Sequence, residues 1–181
     1  MDAKNAIAKF EAIERAFSAL DTQNMRKGVL PMRETAKGYW SPAIMKEVFD
    51  GFSQLGLSNY RRFLDLGSGD GRVVLIASLF VPKTEGVEID RELHEAAIAM
   101  AKKLEIPAIF HHKDLHSIDI SPYDALFISP DAPLERGIEG KLLREMKGDL
   151  IVYGNHFHPR ILRKKKGIKV NGMMIGIYSK P

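Results

Sequence analysis

The sequence predicts an α/β domain with a mostly parallel sheet, on three observations. A short apolar run, Phe63-Leu64-Asp65-Leu66, ends in the glycine cluster Gly67, Gly69 and Gly71 and continues directly into Arg72-Val73-Val74-Leu75-Ile76-Ala77. This is the pattern of a buried strand, a tight turn and a helix packed back on the sheet. An acid, Glu88, lies 21 residues beyond Gly67 at the end of a second apolar run; that is the interval at which a βαβ unit presents a carboxylate to ribose hydroxyls. Further short apolar runs then alternate with amphipathic stretches along the rest of the chain, as strands alternating with helices do.

The glycine loop narrows the ligand. A dinucleotide fingerprint places its third glycine where this chain has Arg72, and the order here is D-x-G-x-G-x-G with Asp65 inside the strand. A carboxylate there suits a cation better than a pyrophosphate. Asp65-Leu66-Gly67-Ser68-Gly69-Asp70-Gly71-Arg72 resembles the first motif of class I S-adenosylmethionine-dependent methyltransferases, and Gly86-Val87-Glu88-Ile89-Asp90 resembles the second. The resemblance covers residues 63–180. It implies a Rossmann-like, seven-stranded, mostly parallel sheet with a C-terminal antiparallel β-hairpin and N-terminal covering helices. It also implies S-adenosylmethionine as cofactor. Asp65 would face the methionine ammonium, and Gly67, Ser68, Gly69, Asp70 and Gly71 would pass under the methionine and ribose. Glu88, with Ile89 beside it, would take both ribose hydroxyl protons; Asp90 is the competing acid, or else leads into the next helix.

In chain order, Ile7, Phe10, Ile13, Phe17 and Leu20 recur at helical spacing and predict an amphipathic helix over 5–20. Residues 21–38 have no clear period and contain Gly28, Pro31 and Gly38, so they read as a loop or covering segment. Ser41 reads as an N-cap and Pro42 as the first residue of a helix running to Gly56. Tyr39 and Trp40 just before it either wall the transfer site or plug the core edge. A second strand is expected over 84–89, a helix over 91–104 and a third strand over 107–111. Asp114-Leu115 after that strand falls where the family binds the adenine amino group; taken alone, such an Asp reads as a turn residue.

A fourth strand, 123–128, ends at Ser129-Pro130-Asp131-Ala132-Pro133. In the family this end faces the transferred methyl group, and amine methyltransferases carry [DNS]-P-P-[aromatic] there. Here Ser129 and Pro130 fit, while Asp131 and Ala132 replace the second proline and the ring. The stacking platform for a flipped base is therefore missing at this position. A helix is expected over 134–146 and a fifth strand over 149–153, leading to His156 at the rim. Ser129, Asp131, Tyr39 and His156 are the catalytic candidates, with Ser129 also near the cofactor. His156 and His158 lack a third ligand in a suggestive pattern, so no metal is expected. Residues 160–169 hold six basic side chains, read as a solvated face. Asn171-Gly172 is a favoured hairpin turn between 168–170 and 173–178.

Composition sets outer bounds. At 181 residues the chain is one domain by length, with residues 1–60 as a helical covering segment and 61–181 as the cofactor-binding core. No cysteine is present, which removes thiol catalysis and disulfides. The longest apolar run is far too short to cross a bilayer and no secretory signal is visible, so no membrane partner and a cytoplasmic setting are expected. The net charge of +4 permits an acidic partner without requiring one. The short chain resembles the small stand-alone protein-lysine methyltransferases. The expected reaction is methylation of an amine nitrogen such as a protein lysine, with a methyl-acceptor partner that is a protein. RNA or a small molecule is the alternative acceptor; a nicotinamide oxidoreductase and a non-catalytic nucleotide-binding scaffold are readings from other classes.

Overall fold

The computed structural model describes residues 3–35, 38–134 and 137–181. Helix α1 (Ala3–Arg26) leads to a small antiparallel pair, β1 (Arg33–Thr35) and β2 (Gly38–Trp40), and then to α2 (Met45–Leu55). The main sheet is built from β3 (Arg62–Leu66), β4 (Lys83–Glu88), β5 (Ile109–His112), β6 (Ala125–Ile128), β7 (Asp149–Tyr153), β8 (Arg163–Val170) and β9 (Met173–Ser179). The connections carry α3 (Arg72–Ala77), α4 (Arg91–Lys103) and α5 (Glu139–Glu145). The strand order is β5-β4-β3-β6-β7-β9-β8. The first five strands in that order are parallel, and β9 inserts antiparallel between β7 and β8. This is the predicted seven-stranded sheet with its terminal hairpin.

Strand alternation splits the core into two layers. Phe63, Ala125, Phe127, Ile151 and Ile175 pack with Phe10, Ile13 and Phe17 of α1, Val48 and Phe52 of α2, and Leu75 and Ile76 of α3. Leu64, Leu66, Leu126, Leu150 and Val152 face the other way, onto Ile120, Leu134, Ile138 and Leu142. Gly56 closes α2 in the left-handed conformation at φ 76°, where a side chain would be strained, and its N–H caps the helix through Phe52 and Ser53 carbonyls.

Several local expectations change. Helix α1 runs on through Asp21 to Arg26, because Asp21 is engaged by Arg72 of α3 rather than ending the helix. Ile7 and Ile98 lie outside the buried stripes of their helices. The second helix starts at Met45 with Ile44 at its N-cap and no side-chain cap. Ser41 and Pro42 are instead drawn into the extended approach from β2, and Ile44 N–H donates to the Tyr153 hydroxyl. The helix expected over 134–146 is helical only over Glu139–Glu145 among the described residues. A loop joins β7 to β8, and five of the six basic residues of 160–169 lie in β8, an edge strand whose lysines also discourage edge-to-edge pairing.

Candidate active site

The carboxyl ends of β3, β4 and β6 open into a cavity of about 370 Å³, within the range of small-ligand sites. Its floor is the glycine loop. Gly67 and Ser68 N–H groups both donate to the Val87 carbonyl, which locks the loop to the end of β4. Gly67 sits at φ 80° and a Cβ there would meet nothing within 4 Å, so this glycine faces open space. Gly69 is different: at φ 53°, an added Cβ would lie 2.3 Å from the Trp40 indole nitrogen. The loop and β2 can approach this closely only because position 69 has no side chain.

Glu88 organises the second wall. One carboxylate oxygen accepts the Gly69 N–H at 2.8 Å, and the other accepts the Ile89 and Asp90 N–H groups, each at 2.8 Å. A carboxylate offers about four acceptor positions, so a ribose finds one open on Glu88 rather than two. Asp90 caps α4 by accepting the Leu93 N–H at 3.0 Å. Asp114 and Leu115 line the far end, where Asp114 accepts the His116 N–H at 2.8 Å as a turn-forming residue would.

Three acids meet beneath this floor and are treated unequally. Asp70 is neutralised by Arg72, whose Nε and terminal nitrogen reach it at 3.0 and 2.6 Å. The same guanidinium reaches Asp21 at 3.2 Å and lies over the Phe17 ring, fastening α1 to the loop. Asp65, by contrast, is 2% exposed and makes no side-chain hydrogen bond with any described residue. Burial, with repulsion from Glu88 and Asp70 added, pushes its pKa well above the usual carboxylate range. The Ser68 hydroxyl nearby is also buried without a partner. An uncompensated buried acid beside an orphaned hydroxyl, both on the cavity, fits a ligand that brings a cation and hydrogen-bonding groups.

The β1–β2 pair straps the cavity from above. Arg33 reaches Asp90 at 2.7 Å and also pairs with Glu92, fixing one end to the start of α4. At the other end the Tyr39 N–H donates to Asp131 at 2.7 Å. Tyr39, Trp40, Ser41 and Pro42 line the opening together with Ser129, Pro130 and Asp131. The strap therefore brings the predicted rim together, apart from His156. That residue is exposed and outside the cavity lining, because Asn155 ties the segment after β7 to the hairpin through Gly172 and Met174. Gly71 also departs from its predicted role. It lies outside the lining, and a Cβ there would meet Ala97 and Phe110 at 2.8 Å, so it serves the packing of α3 against α4 and β5.

Arg33 and the Asp21 end of the Arg72 bridge were not legible as site elements. Arg72 itself was visible as the residue replacing a third glycine; Arg33 gave no local signal, since its partners lie 57 and 59 positions away.

Solved methyltransferases share the fold. An RNA methyltransferase from Salinibacter ruber, in complex with S-adenosyl-L-homocysteine, superposes with a TM-score of 0.68 at 23% identity, covering 77% of this chain and 94% of its own. Magnesium protoporphyrin IX methyltransferase from Synechocystis PCC 6803, with bound S-adenosylmethionine, gives 0.59 at 14% identity over 75% of this chain and 77% of its own. The Pyrococcus abyssi tRNA (uracil-54, C5)-methyltransferase gives 0.61 at 13% identity over 77% of this chain and 40% of its own. No curated protein matches the chain. The family model described as Histone methylation protein DOT1 matches residues 32–134, more than half of the sequence and the span that carries the strap, the glycine loop and the rim. The chain therefore belongs to the DOT1 histone methylation family and is a class I S-adenosylmethionine-dependent methyltransferase.

Proposed function

We propose that this methyltransferase acts on an amine nitrogen, with a protein lysine as the acceptor. The observation that carries this reading is the rim, where Asp131 lies beside Tyr39 and Trp40 and keeps one carboxylate oxygen without a partner among the described residues. Such a site attracts an ammonium and repels a polyphosphate backbone.

Within this reading S-adenosylmethionine supplies a sulfonium-activated methyl group. Asp65 holds the ammonium of the methionine part, Ser68 gives its unpaired hydroxyl to the same end, Glu88 takes one ribose hydroxyl through its open acceptor position, and Asp114 with Leu115 borders the adenine. At the rim, one Asp131 oxygen is occupied by Tyr39 N–H and the other has no partner among the described residues. That oxygen orients the lysine nitrogen and accepts its proton, which the amine, with a free pKa of about 10.4, must lose before it can attack. Trp40 and Tyr39 exclude water from the line of approach, and the alignment they impose is a large part of the rate.

The test is transfer of labelled methyl from S-adenosylmethionine to core histones, total RNA and free lysine. Labelled lysine in protein, with the Asp131→Asn variant reduced about 100-fold in kcat and unchanged in S-adenosylhomocysteine affinity by calorimetry, supports the reading. Label in RNA alone removes it.

A further inference from the structure

We infer that Arg33 is a positioning residue for the transfer site: its ion pairs with Asp90 and Glu92 latch the β1–β2 strap over the cofactor and set how fast the spent cofactor leaves. The inference rests on the cofactor alone and holds for any methyl acceptor. It starts from what the covering segment lacks. Among the described residues of 27–44, which run from the end of α1 to the start of α2, none is buried. The helices on either side insert Phe17, Val48 and Phe52 into the core. A segment without a buried side chain gains little from apolar burial when it closes, so it is among the parts of a fold that open locally.

Three contacts bring the strap down. Two of them are close approaches that a β-carbon would bar. Trp40 lies against Gly69, and a Cβ on Gly38 would press on the same Asp131 oxygen that accepts the Tyr39 N–H. Those glycines permit closure, but one N–H bond and one indole edge do little to hold it. The third contact is Arg33, which donates from Nη2 to Asp90 at 2.7 Å and from Nη1 to Glu92. Arg33 is the direct cross-strand partner of Trp40, so the two side chains share a face and holding one holds the other. Asp90 is tied in turn to the cavity wall: its N–H donates to Glu88, and its Oδ1 receives both Arg33 and the Leu93 N–H that begins α4.

This latch can open. The Arg33 side chain is 36% exposed and that of Glu92 78%, so water and salt compete with the pair. The Arg33 Nε–H is buried with no partner among the described residues, which costs the closed state. At the other end the chain is fixed: the Ile44 N–H donates to the Tyr153 hydroxyl, which donates to buried Glu47 at 2.6 Å. The strap thus has a fixed foot at Ile44 and a releasable hold at Arg33. A ligand resting on the glycine loop is covered by Thr35, Gly38, Tyr39 and Trp40, and its exit is gated by that hold.

Trp40 is the single tryptophan of the chain, so intrinsic fluorescence reads the strap directly. In stopped-flow displacement, S-adenosylhomocysteine should leave Arg33→Met about fivefold faster than the wild type. Glu92→Gln should speed release about twofold. Arg33→Lys, which keeps the charge and loses the fork, should fall between Arg33→Met and the wild type. Raising the salt to about 1 M should speed release from the wild type and leave Arg33→Met nearly unchanged, a response that a mere prop of the fold would not give. Without ligand, acrylamide should quench Trp40 more strongly in Arg33→Met, while the melting temperatures agree because no core contact is lost. Equal release rates in Arg33→Met and the wild type overturn the latch, as does faster release that salt fails to reproduce in the wild type. Unchanged Trp40 quenching overturns the positioning of Trp40 by Arg33. A lowered melting temperature with S-adenosylhomocysteine binding lost in both Arg33→Met and Glu92→Gln makes the pair a structural prop and overturns the inference too.

Discussion

Asp65 and Glu85 are buried acids on neighbouring strands, β3 and β4, on opposite faces of the sheet, and they have opposite fates. Burial alone would raise the pKa of Glu85, yet hydrogen bonds from His111, Tyr123 and Arg62 outweigh it and leave it below the ordinary glutamate value. The Tyr123 hydroxyl donates at 2.9 Å, His111 sits at 2.8 Å and Arg62 at 3.3 Å, with the guanidinium also stacked over the Tyr123 ring. Both carboxylate oxygens of Glu85 are engaged by the protein. Asp65 receives no hydrogen bond from any described residue, and burial raises its pKa. A satisfied buried acid stabilises the fold; an unsatisfied one at a cavity weakens the fold and awaits a ligand.

The contrast breaks hardest at Asp65. Asp65→Asn should weaken S-adenosylhomocysteine binding by about 100-fold, the worth of one charge-assisted hydrogen bond, as read by calorimetry. The same substitution should raise the melting temperature by about 3 °C, because removing a buried, repelled carboxylate gains on the order of 1 kcal/mol. The sign of the pH dependence follows from the raised pKa. The cation-binding form of Asp65 is the anion, so affinity in the wild type should climb as pH rises through the raised value, with proton release on binding below it. Both trends should vanish in the variant. A pH-independent affinity would show that Asp65 carries no cation.

Asp70 is a third buried acid, and Arg72 keeps it like Glu85 rather than like Asp65. Arg72→Met should strand Asp70 and release Asp21, lowering stability by about 3 kcal/mol in urea titration and loosening α1 from the loop. Little change in stability would mean that the pair only offsets its own desolvation. Glu85→Gln should cost about 2 kcal/mol, and S-adenosylhomocysteine affinity should hold. The lowered pKa also fixes a pH window. The stability Glu85 contributes is present above the ordinary glutamate value and is lost as pH falls from there through the lower folded value, so the gap in stability between the wild type and the Gln variant should narrow across that window. A loss of cofactor affinity in this variant would erase the division between structural and functional acids.

How much of this was readable follows from how local each feature is. The strand, glycine turn and helix at 62–77 are encoded within sixteen consecutive residues, and Glu88 and Asp114 each end a short run of their own, so the cavity floor was legible. The β1–β2 strap was not, because three-residue strands carry no period and hold their place through Arg33 to Asp90 and Tyr39 to Asp131. His156 was read toward the rim because it follows a strand end. Its distance from the cavity depends on Asn155 bonding the last hairpin, a contact between segments that no spacing reveals.

By itself the sequence determined the alternation of strands and helices, the Asn171-Gly172 hairpin turn and the residue types offered at the strand ends, since alternation, glycine placement and helical period are properties of neighbouring residues. Only the tertiary structure decided which acids are satisfied. Asp65, Asp70 and Glu85 are the same chemistry in the sequence, and what separates them is whether Arg72, or His111 with Tyr123 and Arg62, is folded against the carboxylate. A pKa is set by the dielectric and the partners around a group, and those exist only once distant segments have packed.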